Sequence, residues 1–345
     1  MSTTFACRVV AWQATHGRHD LPWQHTRDPY RVWLSEIMLQ QTQVGTVAGY
    51  YDRFLARFPD LHALARASQD DVLAAWSGLG YYSRARNLHR CANSVVREHG
   101  GRFPTTSREL ARLPGIGAST AAAIAAFCFG ERAAILDGNV KRVLARWLGF
   151  GADLTRAGNV RDLWRIAHAL LSSRDVERYS QGLMDLGATV CTARVPKCER
   201  CPVAADCVAR RAGAIQSYPV KAAPPARTRR QSVWFWLRFR DQVWLECRPE
   251  RGVWAGLWSL PEFATFSDLA DATRGWPGAG EALPAIDHAL SHFDWRLYPR
   301  RWTLPTSAPD ARVESWLAGR QPGHWRTREA ALTLGIPAPL RRLLV

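Results

Sequence analysis

An α+β chain of two domains is predicted, and three observations predict it. Apolar residues recur at helical spacing through about residue 210, and they alternate with a period of two from residue 232. A basic, proline-bearing stretch lies between the two patterns. A length of 345 residues accommodates two domains and a linker. The expected organisation is an all-α domain over 1–210, a linker over 211–231, and a β-rich domain with short helices over 232–345.

The helical half is read from its starts and stops. Asp28-Pro29 is a helix start, an N-cap acid followed by proline at the first helical position. Tyr30, Trp33, Leu34, Ile37, Met38 and Gln41 then follow at 3.6-residue spacing. Further stripes run Asp70–Trp76, Ser83–Glu98, Ser119–Phe129, Val140–Leu148 and Arg161–Leu171. Phe58-Pro59, Gly78-Leu79-Gly80, Gly100-Gly101, Leu113-Pro114-Gly115 and Asp137-Gly138-Asn139 are the turns between them.

From Arg210 to Arg230 there are six basic residues, no acids and a Pro224-Pro225 pair, which reads as an extended tether. Beyond it Val233, Phe235, Leu237 and Phe239 alternate with Trp234, Trp236, Arg238 and Arg240. Asp241-Gln242 is a turn, and Val243, Leu245 and Cys247 form the next strand. Most of the tryptophans are core residues, with Trp234 and Trp236 the candidates for an exposed sheet face.

Composition narrows the partners. Hydrophobic residues at 47% and charged residues at 22% exclude global disorder. A net charge of +16 favours a polyanion, with nucleic acid the first candidate. Arginine dominates that charge, which suits phosphate. The longest apolar run, Ala118–Gly130, is too short to span a bilayer, so no membrane partner is expected. The N-terminus has no basic region followed by an apolar core, so a cytoplasmic protein is expected, nucleoid-associated if bacterial.

Eight cysteines are too few for a disulfide scaffold in this length. Four of them, Cys191, Cys198, Cys201 and Cys207, are spaced C-x6-C-x2-C-x5-C. Structural zinc usually takes two short knuckles across a longer insert, and only one C-x2-C pair is present. Four closely strung thiolates also suit a four-iron, four-sulfur cube. Pro196, Lys197 and Pro202 keep the backbone irregular, as wrapping a cube requires. The spacing favours one [4Fe-4S] cluster, with zinc as the competing ligand. Arg194, Lys197 and Arg200 are the loop's candidate phosphate contacts.

Leu113-Pro114-Gly115-Ile116-Gly117 precedes the small-residue helix that begins at Ala118. Its tight turn, within a hairpin spanning about 110–130, exposes N–H groups at a helix start and is a ready anion site. Asp137 stands before Gly138-Asn139 at the mouth of another helix. Alone it would be an N-cap acid, kept ionised by the helix dipole and N–H donors. Glu36 lies between Leu34 and Ile37 on an apolar helix, and Gln40 and Gln43 extend its strip at i+4 and i+7. An acid lodged against apolar neighbours holds its proton to higher pH and can donate it near neutrality. An exposed helix glutamate is the plainer alternative.

A hairpin, an aspartate about twenty residues on, and a four-cysteine loop resemble the helix-hairpin-helix DNA glycosylase superfamily. Four stretches resemble its MutY branch, the adenine DNA glycosylases. They are Leu21-Pro22-Trp23, Trp33 through Gln43, Gly78-Leu79-Gly80-Tyr81-Tyr82, and Asp185-Leu186-Gly187-Ala188. The likeness runs from about residue 8 to 210. It implies a DNA glycosylase fold with an iron–sulfur loop, acting on double-stranded DNA that carries A·8-oxoguanine or A·G mispairs.

The resemblance also implies roles. Glu36 would protonate adenine at N7, and Asp137 would stabilise the sugar oxocarbenium. Asn139 and Ser119 would support the sugar and the water. Leu21, Trp23 and Gln181 would line the adenine pocket. Gln41, Thr42 and Tyr81 would enter the duplex beside the lesion, with Gly115, Gly117 and Lys141 on the DNA. The base must be flipped out to be reached.

The related endonuclease III carries a lysine after the hairpin, where this chain reads Gly117-Ala118-Ser119-Thr120. A hydroxyl forms no Schiff base, so a monofunctional glycosylase is expected, with at most trace lyase activity through Lys141. Residues 232–345 resemble the family's Nudix-like α/β domain, on the strand pair before Trp254-Ala255-Gly256-Leu257-Trp258-Ser259-Leu260-Pro261. The glutamate helix of a magnesium-dependent Nudix hydrolase is missing from Glu262–Asp268, so binding rather than hydrolysis is expected. Ser291 and His292, within Ala289-Leu290-Ser291-His292-Phe293, match the loop that reads 8-oxoguanine. The competing readings are a bifunctional glycosylase-lyase on damaged pyrimidines and a non-enzymatic iron–sulfur DNA-binding protein. The chain is expected to act as a monomer.

Overall fold

The computed structural model describes residues 4–222, 226–307 and 310–345. These divide into two compact units, residues 1–65 with 90–224, and residues 66–89 with 225–345.

Helices α1 (Phe5–His16), α2 (Pro29–Leu39), α3 (Val44–Arg57), α4 (Leu61–Arg66), α5 (Gln69–Ala75), α6 (Ser83–Glu98) and α7 (Ser107–Leu110) come first. They are followed by α8 (Ala118–Phe129), α9 (Gly138–Leu148), α10 (Ala157–Ala169) and α11 (Val176–Asp185). Asp28 caps α2 as expected, its Oδ1 accepting the Tyr30 N–H at 3.0 Å with Pro29 in the first turn. In the hairpin before α8, Gly115 takes φ +76, a conformation that residues with a Cβ rarely adopt. The run Ala121–Ala126 is buried where α8 packs on α2, α7 and α11, its small side chains allowing close approach. Val9, Val140, Leu144, Leu163 and Leu186 are wholly buried in the core around α1, α9, α10 and α11.

One helical expectation needs correction, and one segment of the helical half packs with the second unit. The Glu36–Gln40–Gln43 strip is not one helical face, because α2 ends at Leu39. Gln40 is its C-cap, Gln41 turns left-handed at φ 58, and Gln43 caps α3. Residues 66–89, expected with the helical domain, group with the second unit. Tertiary partners decide this. Trp258 Nε1 donates to Asp70 at 3.0 Å, and Arg86 donates to the Ala255 carbonyl at 2.7 Å. A Cβ on Gly335 would stand 2.9 Å from Leu73, so the backbone approaches α5 closely.

The expected linker is built in at both ends. Arg146 Nε donates to the carbonyls of Ile215 and Tyr218, each at 3.2 Å. The first strand starts at Thr228, inside the 211–231 segment. The Pro224-Pro225 pair lies outside the described residues.

The second unit is a mixed eight-stranded sheet. Its strands are β1 (Thr228–Phe239), β2 (Gln242–Cys247), β3 (Trp258–Ser259), β4 (Glu262–Phe263), β5 (Ala279–Ala282), β6 (Ile286–Ala289), β7 (Phe293–Thr303) and β8 (Gly323–Thr327). The main order is β3-β2-β1-β7-β5, with β4 on β1, β6 on β7 and β8 on β2. β1 and β7 run parallel, from Thr228 opposite Phe293 to Arg238 opposite Thr303, and the other pairs are antiparallel. The period of two is present, but both faces of β1 are covered. Val233, Phe235 and Leu237 enter one core, and Trp234 is fully buried in the other, with Trp236 packed against it. The exposed face considered for those two tryptophans is therefore not found. Such double coverage is the layering expected of an α/β domain.

Candidate active site

A cavity of about 1270 Å³ opens in the helical unit, large enough for a nucleotide. Glu36 from α2 and Asp137 at the start of α9 both line it. Leu21, Trp23, Gln41, Thr42, Ser119, Asn139 and Gln181 line it too, as do Gln40 and Gln43 despite the break in α2. Lys141 does not.

Nearly every α2 residue after Arg31 is buried, including Val32, Trp33, Leu34, Ile37 and Met38. Glu36 is half-buried on this helix and lines the cavity. Burial pushes its carboxyl from 4.5 to about 8, and the Asp137 charge adds to the effect. The exposed-glutamate alternative does not hold.

Asp137 is both an N-cap and a cavity carboxylate. Its Oδ1 accepts the Val140 N–H at 2.7 Å, and the Asn139 amide donates to Oδ2 at 3.4 Å. Burial nevertheless raises its proton affinity, against the N–H groups of Val140 and Asn139, the Asn139 amide and Arg142. The sequence-based expectation of a pKa held down by donors alone is corrected on that point. Burial thus raises both carboxyl groups, and only Asp137 has N–H donors and Arg142 to oppose the rise.

Arg142, not singled out in the sequence, ties this carboxylate to the cysteine loop. Its Nη2 donates to Asn139 Oδ1 and to the Gly187 carbonyl, both at 2.7 Å, and its Nε donates to the Cys191 carbonyl at 2.8 Å. The i+3 spacing from Asn139 on one helix was the available signal. A π-helical turn, Leu186–Val190, carries Gly187 against α9. A Cβ on Gly187 would meet Asn139 Cβ at 2.6 Å and its backbone at 3.0 Å, so only glycine fits. Ser119 Oγ accepts the Leu136 N–H at 3.2 Å, joining α8 to the stretch of chain before Asp137.

Cys191, Cys198, Cys201 and Cys207 line one small cavity with Val190, Pro196, Ala204, Ile215, Arg146 and Arg210. Burial pushes the Cys201 thiol up to about 11, with Cys191, Cys207 and Cys198 as like-charged neighbours. Arg146 is buried and donates to Cys191 Sγ at 3.4 Å and to the carbonyls of Thr192 and Ala193 at 2.6 and 3.0 Å. Among the described residues, no three His, Cys, Asp or Glu side chains converge as a single-ion site. The residues present fit a larger, anionic sulfur-ligated group, because four cysteines and two arginines share this one small lining. Arg194, Lys197 and Arg200 on the same loop are exposed.

Gly115 and Gly117 are exposed at the hairpin, and α8 starts without a side-chain cap, so its first N–H groups have no side-chain acceptor there. In the second unit, Tyr81 is 44% exposed with φ 49, and its hydroxyl lies 3.3 Å from Ser291 Oγ. The sequence places these two far apart, and the grouping of 66–89 with the sheet brings them together. His292 is exposed beside Ser291. Glu262 accepts from Ser232 and from Arg248, each at 2.8 Å.

No helix among the described residues is long and apolar enough to cross a membrane. The family model for HhH-GPD superfamily base excision DNA repair proteins matches residues 34–167, and that for the NUDIX domain matches 233–345. The chain is 31% identical to the adenine DNA glycosylase of Buchnera aphidicola subsp. Schizaphis graminum over 344 residues, covering 99% of this chain and 97% of that protein. It is 43% identical to the Homo sapiens adenine DNA glycosylase over 217 residues, covering 60% of this chain and 40% of that protein. Among solved structures, a thermostable thymine-DNA glycosylase superposes with a TM-score of 0.56 at 32% identity, covering 60% of this chain and 95% of that one.

Proposed function

Because the chain belongs to the adenine DNA glycosylase family, we propose that it excises adenine mispaired with 8-oxoguanine or guanine in double-stranded DNA. The observation that carries this reading is one cavity lined by two carboxyl groups, Glu36, which burial pushes up to about 8, and Asp137, which accepts the Val140 N–H. One acid and one carboxylate flanking a glycosidic bond is the logic of glycoside hydrolysis.

The adenine nucleotide, flipped from the duplex, enters the cavity with its base toward Leu21, Trp23 and Gln181. Glu36 donates its proton to N7, and the protonated base takes the bonding electrons and leaves as neutral adenine. Asp137 faces the cationic sugar and lowers the cost of its charge. Asn139 and Ser119 hold the sugar side, and water adds at C1′, its proton passing to the Glu36 carboxylate left by the first step. Gln41 and Thr42 support the opened duplex from the helical unit. Tyr81, Ser291 and His292 read the partner base, with Tyr81 as the wedge. Gly115, Gly117 and Lys141, with the loop cations, take phosphates.

Cys191, Cys198, Cys201 and Cys207 are the ligands for one [4Fe-4S] cluster, which supplies structure to the 191–207 loop when bound. The Nudix-like domain binds rather than hydrolyses, since Glu262–Asp268 lacks the glutamate helix that would hold magnesium. The enzyme acts as a monomer in the cytoplasm.

The test is a duplex with one A·8-oxoguanine pair, analysed before and after alkali. Cleavage only after alkali is the expected result. Cleavage without alkali supports a glycosylase-lyase, and no cleavage supports a DNA-binding protein without base-release activity.

A further inference from the structure

Asp185 ends α11 with its side chain wholly buried, one helical turn after Gln181. Its Oδ2 accepts the Arg18 backbone N–H at 2.9 Å, and its Oδ1 accepts Arg18 Nε at 2.7 Å. Oδ1 also accepts Gln181 Nε2 at 2.8 Å. A carboxylate paired with a guanidinium only accepts hydrogen bonds, so an amide beside it must present its NH2. The Gln181 amide therefore has one orientation. Its donor faces Asp185, and its carbonyl oxygen is the group it offers to the cavity it lines.

We infer that Asp185, clamped by Arg18, is a positioning residue that makes Gln181 an obligatory acceptor, selecting 6-amino purines over 6-keto purines. The inference rests on the proposed adenine excision. Adenine presents an N–H donor at C6, whereas hypoxanthine presents a carbonyl there. With C6 of the flipped base set against Gln181, a fixed acceptor there pairs with the first and opposes the second. An amide free to flip would serve both, so discrimination resides in the carboxylate behind it rather than in Gln181 alone.

Single-turnover base release from duplexes with adenine or hypoxanthine opposite 8-oxoguanine gives a selectivity ratio for the full-length protein. In Asp185→Asn the new amide pairs with Gln181 in either orientation, and the ratio falls about tenfold or more. Gln181→Glu alone sets two carboxylates together and also lowers the ratio. The double variant Asp185→Asn with Gln181→Glu reverses donor and acceptor. Its introduced amide donates to the introduced carboxylate and accepts from Arg18, and the ratio returns to within about threefold of the wild type. A merely structural Asp185 predicts no such rescue. Should Asp185→Asn fail to fold, the comparison of Gln181→Glu with the double variant decides. An unchanged ratio in folded Asp185→Asn, or a double variant no better than Gln181→Glu, overturns the inference. Release of neither base by the wild type overturns the proposed function itself.

Discussion

Glu36 and Asp137 reach one cavity from α2 and from the start of α9, and the charge on Asp137 helps hold the proton on Glu36. Two carboxyl groups in one site thereby sit in different surroundings. The difference comes from their walls: apolar side chains around α2, and N–H donors with Arg142 at α9.

Glu36→Gln removes the proton donor and keeps the shape. Base release should slow by about 10²- to 10⁴-fold while duplex affinity stays within a few-fold. Single-turnover kinetics with gel-shift titration measures both. Near-normal turnover would remove Glu36 from its role.

Asp137 has two jobs that substitutions separate. Asp137→Asn keeps an acceptor for the Val140 N–H, while Asp137→Ala loses the cap at a cost of about 1 kcal/mol. Both variants should lose base release, and only the alanine variant should melt earlier. Equal melting temperatures would show that the cap contributes nothing.

The rate should fall as pH rises above about 8, because Glu36 then loses the proton it must donate. An acidic limb should follow protonation of Asp137, above the usual aspartate range because burial raises its pKa. Stability follows the same group. Folded Glu36 binds a proton that the unfolded chain releases near 4.5, so its contribution is lost as pH climbs from 4.5 toward 8. Denaturant titration at several pH values should show that loss in the wild type and not in Glu36→Gln.

Purified protein should carry four irons per chain, and Cys201→Ala should lower that content. Hydrogen exchange should then quicken from Cys191 to Tyr218, the stretch that Arg146 gathers through the carbonyls of Thr192, Ala193, Ile215 and Tyr218. Stoichiometric zinc in place of iron would defeat the cluster assignment.

Local signals were legible and tertiary ones were not. Asp28-Pro29 announces α2 because a cap and an N1 proline act within one turn. Asp137 announces α9 for the same reason. The stop at Leu39 carries no glycine or proline, so nothing nearby marks it. Period two in β1 reveals a strand, but the second layer that buries Trp234 comes from distant residues. The same holds for residues 66–89, whose place depends on Asp70, Leu73 and Arg86 meeting partners far along the chain. Of the site, the carboxylates and cysteines were readable from spacing and resemblance. Arg142 and the Asp185–Gln181 pair emerge only in the folded chain, because their meaning lies in which atom faces which.

The most direct measurement is chromatographic quantification of free adenine released from an A·8-oxoguanine duplex by wild type, Glu36→Gln and Asp137→Asn under single-turnover conditions. One adenine per duplex is expected from the wild type and almost none from either variant, with all three proteins retaining the duplex. Adenine release by both variants at the wild-type rate would contradict that expectation.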